Sequence, residues 1–341
     1  MPYKVQSSER LKKIASDFET KAMLYLMNFR ADSSEINYFI VDFFNDVSGM
    51  DRYAQKIWDV QSKASKSATA KAIGRELVTL FKNYLSDFQF HEYILFLGAV
   101  PDTFRIDNTK GIFQLDNIVD KALKSVVNGL KDECNKKEYI ENDNITDIQL
   151  NSFLSKVWFV IDDKHPEDYI REIIKEHLKL VPSNDELLAI FNEIRNKQSE
   201  KKNSLVEGII LNNVDEVLTY GRYLTTNEIR LLVLQRIINT NPLDKGIPQA
   251  FFDIYLKFPP ENRSFMVEQC KSALCRALFN KSAAQGFWKL FERIYELVLE
   301  NPGDSIDLIY NRLDKDVMEA CPDFDVLSLK FFIAKIKEGV E

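Results

Sequence analysis

The chain has 341 residues, 45% hydrophobic and 28% charged, which is the composition of an ordinary globular protein with room for two domains. No stretch of the sequence reaches the ~18 consecutive apolar residues of a membrane-spanning helix, which predicts a cytoplasmic protein without membrane contact. The net charge of −7 does not exclude a nucleic-acid ligand, because residues 1–110 hold 15 basic against 14 acidic residues and the acidity lies further along the chain.

Hydrophobic periodicity predicts a small α/β unit near the start of the chain. Apolar residues at steps of three and four predict a helix over residues 8–30, and residues 36–47 and 56–63 are rich in strand-forming side chains. The turn-forming residues 48–51 are expected to join these two strands as a hairpin. The pattern continues with an amphipathic helix and a buried strand, predicted over 69–88 and 92–99.

The later part of the chain is predicted to be mostly helical. The predicted elements are helices over 115–130, 148–155, 167–179 and 183–197, with a short strand over 157–162. Ser183 and Glu186 have the spacing of a capping box at the start of the last of these helices. The polar run 196–203 is the expected domain boundary, giving domains 1–203 and 204–341. No strand is expected in the second domain, whose broad apolar helix faces indicate an all-helical bundle for interaction or oligomerisation.

Four polar side chains in the α/β unit have the spacing of a metal-dependent hydrolytic site. Side chains alternate across a strand, so Asp59, Gln61 and Lys63 are expected on one face, with Asp46 beside them across the hairpin. Magnesium prefers hard oxygen ligands, so Asp46 and Gln61 are predicted to hold Mg²⁺, for which Mn²⁺ is expected to substitute. Lys63 would stabilise the charge of a phosphodiester transition state. Glu19, on the first helix, would be a second carboxylate, as a metal ligand or a base.

Other assignments stay open from the residues alone. Asp42 or Asp59 would replace Asp46 if the strand register differs by a hairpin residue. Each candidate also fits an ordinary role, as a turn cap, a solvated strand face or an exposed helix carboxylate.

A basic run follows the second strand and leads into a predicted helix N-terminus. Lys66, Lys71 and Arg75 are predicted to contact DNA phosphates there, helped by the helix dipole. The alternative is an ordinary solvated helix face.

The spacing of these residues resembles that of a known family. Gln61 follows Asp46 by fifteen positions, and "FNDV" with "VQSKAS" is similar to the QxK variant of the PD-(D/E)XK nucleases. More narrowly, it resembles the double-stranded DNA endonuclease domain of bacterial anti-phage effectors in cyclic-oligonucleotide (CBASS) and Lamassu-type systems. "LNSFLSKVWFVIDD" and "NDELLAIFNEIRNKQSEKKN" extend the resemblance over residues 8–203. Two positions depart from the family pattern: Asn45 stands where an acid is common, and Ala64 stands where an aromatic residue or histidine usually follows the lysine.

The resemblance implies a restriction-endonuclease-like domain with a small mixed sheet flanked by helices. It implies metal ligands at Asp46 and Gln61, a catalytic lysine at Lys63 and a helix carboxylate at Glu19. The implied activity is Mg²⁺-dependent cleavage of double-stranded DNA within a defence complex, controlled by partner subunits or oligomerisation. Implied partners are an SMC-like or HerA-like ATPase, accessory subunits and further copies of the chain. The rival hypotheses are a catalytically silent nuclease fold that binds DNA or acts as a scaffold, and a helical adaptor without a nucleic-acid role.

Overall fold

A computed structural model gives the fold of the chain. It describes residues 3–5, 17–65, 68–175, 182–203 and 206–340. Residues 8–16 of the first predicted helix, Lys66 of the basic run and residues 176–179 of a later predicted helix lie outside the described residues. Within the described ranges, every helix is too short or too polar to cross a membrane.

The structure contains short and medium-length strands and helices in mixed order. The strands are β1 (Tyr3–Lys4), β2 (Ile36–Val41), β3 (Val47–Asp51), β4 (Ile57–Lys63), β5 (Glu92–Leu97), β6 (Ile112–Phe113), β7 (Val157–Ile161), β8 (Ile210–Leu211) and β9 (Tyr223–Thr225). The helices are α1 (Asp17–Asn28), α2 (Ala70–Glu76), α3 (Val78–Tyr84), α4 (Asp120–Cys134), α5 (Asp147–Leu154), α6 (Pro166–Ile173), α7 (Asn184–Glu200), α8 (Thr226–Ile237), α9 (Phe252–Lys257), α10 (Pro260–Phe279), α11 (Ala284–Glu300), α12 (Ile306–Asn311), α13 (Lys315–Glu319) and α14 (Val326–Val340). A short 3-10 turn, Lys201–Asn203, follows α7.

The chain divides into two compact units. The first extends to Tyr169 and takes in Asn192–Thr226, and the second combines Ile170–Phe191 with the chain from Asn227 onward. The first unit therefore includes residues beyond the expected boundary at 203.

A seven-stranded mixed sheet forms the centre of the first unit, in the order β6-β7-β5-β4-β3-β2-β9. Strands β2, β3 and β4 form an antiparallel meander, and β4, β5 and β7 run parallel. Helices cover both faces: Phe96 of β5 packs against Phe18 of α1, while Tyr93 points the other way and packs against Phe153 of α5. The predicted mixed sheet flanked by helices is confirmed.

The second unit is built from helices around α14. Phe332 of α14 stacks with Phe287 of α11 and with Phe324. Lys335 of the same helix is fully buried, and its ammonium donates to Asp244 at 2.8 Å and to Glu338 at 2.9 Å. The prediction that the C-terminal region is helical is confirmed.

The predicted hairpin turn at residues 48–51 is wrong, because these residues lie inside β3. Small side chains are needed there for packing: a Cβ on Gly49 would lie 3.1 Å from Ile36 and 3.2 Å from Leu26 of α1. The predicted strand 36–47 is likewise interrupted, since β2 ends at Val41 and Asp42 has a left-handed φ of 48°. The turn between β3 and β4 follows Asp51, whose carboxylate accepts hydrogen bonds from backbone N–H groups.

Three other predicted elements differ from the structure. The predicted helix 69–88 is two helices, α2 and α3, separated at Leu77. The predicted helix 115–130 becomes regular only at Asp120, after a 3-10 turn. The prediction of no strand after residue 203 is wrong, because β8 and β9 lie there, and β9 pairs with β2. Strands of two or three residues are too short to show a periodicity.

The capping box at the start of α7 is confirmed. The Glu186 carboxylate accepts from the backbone N–H and the hydroxyl of Ser183, and the Ser183 hydroxyl accepts from the Glu186 N–H at 3.3 Å.

Two glycines bring α2 into backbone contact with α4. A Cβ on Gly74 would lie 2.0 Å from the Val126 carbonyl oxygen, and one on Gly129 would lie 2.0 Å from the Lys71 carbonyl oxygen. This crossing fixes α2 directly after β4, where the candidate site residues lie.

Candidate functional site

Asp46 and Gln61 meet at the end of the sheet where β3 begins and β4 finishes. Val47 pairs with Val60 and Ser48 with Asp59, so the antiparallel register places Asp46 opposite Gln61. The Gln61 side-chain amide donates to Asp46 Oδ2 at 3.0 Å. The structure thus brings these two residues together as strand alternation predicted, although the turn lies elsewhere.

One oxygen of Asp46 is fixed and the other is left for a ligand. Asp46 Oδ2 accepts from the backbone N–H and from the hydroxyl of Ser62, each at 2.8 Å, as well as from Gln61. Asp46 Oδ1 accepts no hydrogen bond from any residue that the structure describes. The carboxylate is therefore held in one orientation with Oδ1 available.

The amide of Gln61 is suited to two orientations. As placed, Gln61 Oε1 accepts from the Thr79 hydroxyl of α3 at 2.9 Å, and Nε2 faces Asp46. A half-turn of the amide would exchange the two atoms, and Thr79 can accept as readily as it donates. The carbonyl oxygen would then face Asp46, an arrangement that a cation between them or a proton on Asp46 would stabilise.

Glu19 and Lys202 form an ion pair whose charges both act on Asp46. The Lys202 ammonium is 2.7 Å from Glu19 Oε2, and only 6% of the Lys202 side chain is exposed. Burial raises the pKa of Asp46 to about 7, and the charge of Glu19 adds to the rise, while the Ser62 hydrogen bonds and the charge of Lys202 oppose it. Two carboxylates and one ammonium therefore share this end of the sheet.

Helix α7 delivers Lys202 to this position. Arg195 of α7 contacts Asp17 of α1 at 2.6 Å, and the Thr20 hydroxyl donates to Gln198 at 2.8 Å, so the two helices are joined alongside Glu19. Lys202 was not among the predicted site residues, because it lies in the polar run 196–203 that was expected to be the domain boundary. Its helical spacing from Arg195 and Gln198, in steps of three and four, was the available signal.

Lys63 pairs with a carboxylate that sequence analysis did not single out. Its ammonium is 3.1 Å from Glu76 Oε1 at the end of α2, and the Lys63 side chain is 46% exposed. Lys63 is therefore at the open side of the site and is held by Glu76 rather than by Asp46.

The predicted DNA-binding residues are only partly placed together. Lys71 of α2 forms a 2.7 Å ion pair with Asp132, whereas Arg75 is exposed on the same helix. Thr69 caps α2, since its hydroxyl accepts from the Ala72 N–H at 3.2 Å.

The alternative acids Asp42 and Asp59 have structural roles. Asp42 forms a 2.9 Å ion pair with Arg222. Asp59 is fully buried and accepts from Ser48 at 3.0 Å and from Asn45 and Asn83 at 2.6 Å. Asn45 suits this position because its amide donates to Asp59, whereas an acid at position 45 would repel it.

Asp59 predicts a measurable pH dependence of stability. Burial raises its folded-state pKa to about 6, above the ~4 of an unfolded chain, so the folded state binds the proton more tightly. The contribution of Asp59 to the unfolding free energy should be greatest below pH 4, fall as the pH rises to 6, and stay low above that, with a total change of up to about 3 kcal/mol.

The control is Asp59→Asn, whose amide oxygen can accept from Asn45 and Asn83 while its nitrogen donates to Ser48. Chemical unfolding of both proteins at several pH values should show the variant gaining on the wild type between pH 4 and 7. A difference that does not change with pH would contradict the assignment.

A second acidic cluster lies at the opposite end of β4 and β5. Ligand atoms of Asp32, His91 and Glu92 lie within 4.8 Å of one another. Arg30 contacts both carboxylates at 2.7 Å, and the Trp58 indole donates to Asp32 at 2.8 Å. The Arg30 guanidinium already neutralises the negative charge of this cluster, which is therefore a structural ion-pair network.

Comparisons of the chain with protein-family models, with curated proteins and with solved structures found no match. What the chain can do is therefore inferred from its own residues.

Proposed function

We propose that the first unit is a metal-dependent nuclease of the PD-(D/E)XK type that hydrolyses phosphodiester bonds of double-stranded DNA. The observation that carries this proposal is the arrangement of the Asp46 carboxylate: Oδ2 is held by Ser62 and Gln61, while Oδ1 accepts no hydrogen bond from the described residues. A carboxylate arranged in this way is prepared to hold a cation.

The donor atoms fit magnesium or manganese. Asp46, Glu19 and the amide carbonyl of Gln61 are hard oxygen ligands, and no thiol or imidazole stands among the described residues that contact them. A bound Mg²⁺ would supply an acidified water and neutralise charge at the phosphorus.

The protein's own side chains would do the remaining work. Lys63, half exposed and held by Glu76, can exchange this carboxylate for a phosphate oxygen when DNA arrives, and so stabilise the developing negative charge. Glu19 would orient the attacking water or accept its proton. Arg75, with Lys66 and Lys71, would contact the DNA backbone away from the scissile bond.

The proposed biological role and partners rest on the resemblance to the nuclease family. A nuclease of this kind would act as the effector of an anti-phage defence complex, with an SMC-like or HerA-like ATPase and accessory subunits, or further copies of the chain, controlling it through the helical second unit. The competing proposal is a silent nuclease fold that binds DNA as a scaffold subunit.

The test is cleavage of plasmid and linear duplex DNA with Mg²⁺, over a range of protein concentrations, with and without genomically neighbouring proteins. Lys63→Ala should lower the cleavage rate by about 10²- to 10³-fold while DNA binding is kept, because one transition-state contact is lost. Lys56→Ala is the matched control, since Lys56 lies exposed beside the other end of β4 and pairs with Glu35. Equal DNA binding by all three proteins without cleavage by any of them would favour the silent scaffold.

A further inference from the structure

The Lys202 ammonium lies on a carboxylate that the proposed metal site would use. Its Nζ is 2.7 Å from Glu19 Oε2, and its charge also acts on Asp46. Lysine is among the residues that are least often buried, and a buried one is normally paired. Lys202 therefore supplies the positive charge of this pocket in the metal-free protein.

Lys202 is held in place by structure around it. The 3-10 turn that carries it continues from α7, where Gln198 is fully buried and accepts from Thr20, the neighbour of Glu19. Arg195, a turn earlier, contacts Asp17. The ammonium is thus fixed beside Glu19 by contacts on α1 rather than carried on a free surface side chain.

Without this ammonium two like charges would remain at this end of the sheet. The negative charge of Glu19 acts on the Asp46 carboxyl, and the positive charge of Lys202 opposes it. A divalent ion between the carboxylates would do the same, but it would be repelled by an ammonium that contacts Glu19. The two cations therefore compete for one carboxylate.

We propose that Lys202 is a positioning residue that serves as a built-in counter-ion for the metal site. It keeps Glu19 and Asp46 together in the metal-free protein, and it limits divalent-metal affinity because its ammonium must be displaced from Glu19. The inference rests on the proposed function, since it takes Asp46 and Glu19 as metal ligands.

The experiment is calorimetric titration of Mn²⁺ alone into the full chain. Lys202→Met should bind Mn²⁺ at least about tenfold more tightly than the wild type, since a nearby positive charge is removed. Lys202→Arg keeps the charge and should bind no more tightly than the wild type, which provides a test if the methionine variant does not fold. Lys201→Met is the matched control, because Lys201 lies over the Tyr223 ring instead.

Asp46→Asn separates this inference from the function beneath it. Tighter binding in Lys202→Met only, with binding lost in Asp46→Asn, is the expected result. Two outcomes would overturn the counter-ion role: Mn²⁺ binding to Lys202→Met that is equal to or weaker than that of the wild type, or tighter binding to Lys202→Arg. The metal site itself would still be supported if Asp46→Asn abolishes binding. Manganese binding that is absent from all variants, or unchanged in Asp46→Asn, would overturn the metal site and the counter-ion role together.

Discussion

Asp46→Asn is expected to abolish Mn²⁺ binding and to lower the DNA cleavage rate by about a thousandfold or more, because the metal-bound water and its charge neutralisation are lost together. The substitution is nearly isosteric. The asparagine carbonyl can still accept the hydrogen bonds from Ser62 and Gln61, but its amide nitrogen takes the place of Oδ1 and cannot bind a cation. The metal-free variant should unfold at the same temperature as the wild type or a higher one at pH 8, since a buried charge beside Glu19 is removed.

Three measurements on the same preparations check this prediction: cleavage rate, Mn²⁺ titration and thermal unfolding without metal. Asp147→Asn is the control, since Asp147 is an exposed carboxylate of the first unit that forms a surface pair with Lys131 and takes no part in the site. It should retain metal binding and cleavage. An Asp46→Asn protein that binds Mn²⁺ as tightly as the wild type would remove Asp46 from the metal site.

Gly129→Ala is expected to destabilise the first unit by about 3 kcal/mol. The added Cβ would lie 2.0 Å from the Lys71 carbonyl oxygen. Real Cβ atoms essentially never approach another heavy atom more closely than 3.0 Å, so the two helices would have to move. A backbone oxygen cannot rotate away as a side chain can, so α2 and α4 must separate. The better helix propensity of alanine, worth about 1 kcal/mol, does not offset this cost.

Urea unfolding followed by hydrogen exchange of residues 70–134 measures the effect locally. Gly111→Ala is the matched control, because the nearest atom to its Cβ is the Ile161 carbonyl oxygen at 3.9 Å. The helix α2 also ends at Glu76, which holds Lys63, so Gly129→Ala should weaken cleavage as well. Equal stability of the two alanine variants would contradict the close helix crossing.

The sequence was sufficient to predict that Asp46 and Gln61 meet, although the hairpin turn on which that prediction relied lies elsewhere. Alternation along β4 places Gln61 on a defined face, and any antiparallel neighbour that begins near Asp46 then brings the two together. The turn was predicted at the wrong place because Ser48 and Gly49 are residue types that favour turns, whereas in this chain they lie inside β3. Here Gly49 is small because α1 lies against it.

The partners of the outer site residues could not be predicted. Lys202 and Glu19 are 183 positions apart, and no local pattern carries such a contact. Lys63 was expected beside Asp46, yet Glu76 at the end of α2 lies closer to its ammonium, because the helix break at Leu77 ends α2 there. Charged runs such as the one that contains Lys202 have the same composition in linkers as at the ends of helices.

The contact between β9 and β2 has a consequence for the order of synthesis. The chain leaves the first unit after Tyr169 and returns at Asn192, and the sheet gains its last strand only with Tyr223–Thr225. A nascent chain that has not yet reached residue 202 lacks the ammonium that neutralises Glu19, and one that ends before residue 223 leaves β2 with an open edge. The components of the proposed nuclease site are thus separated in time during translation, and the site becomes complete only after about two-thirds of the protein has been made.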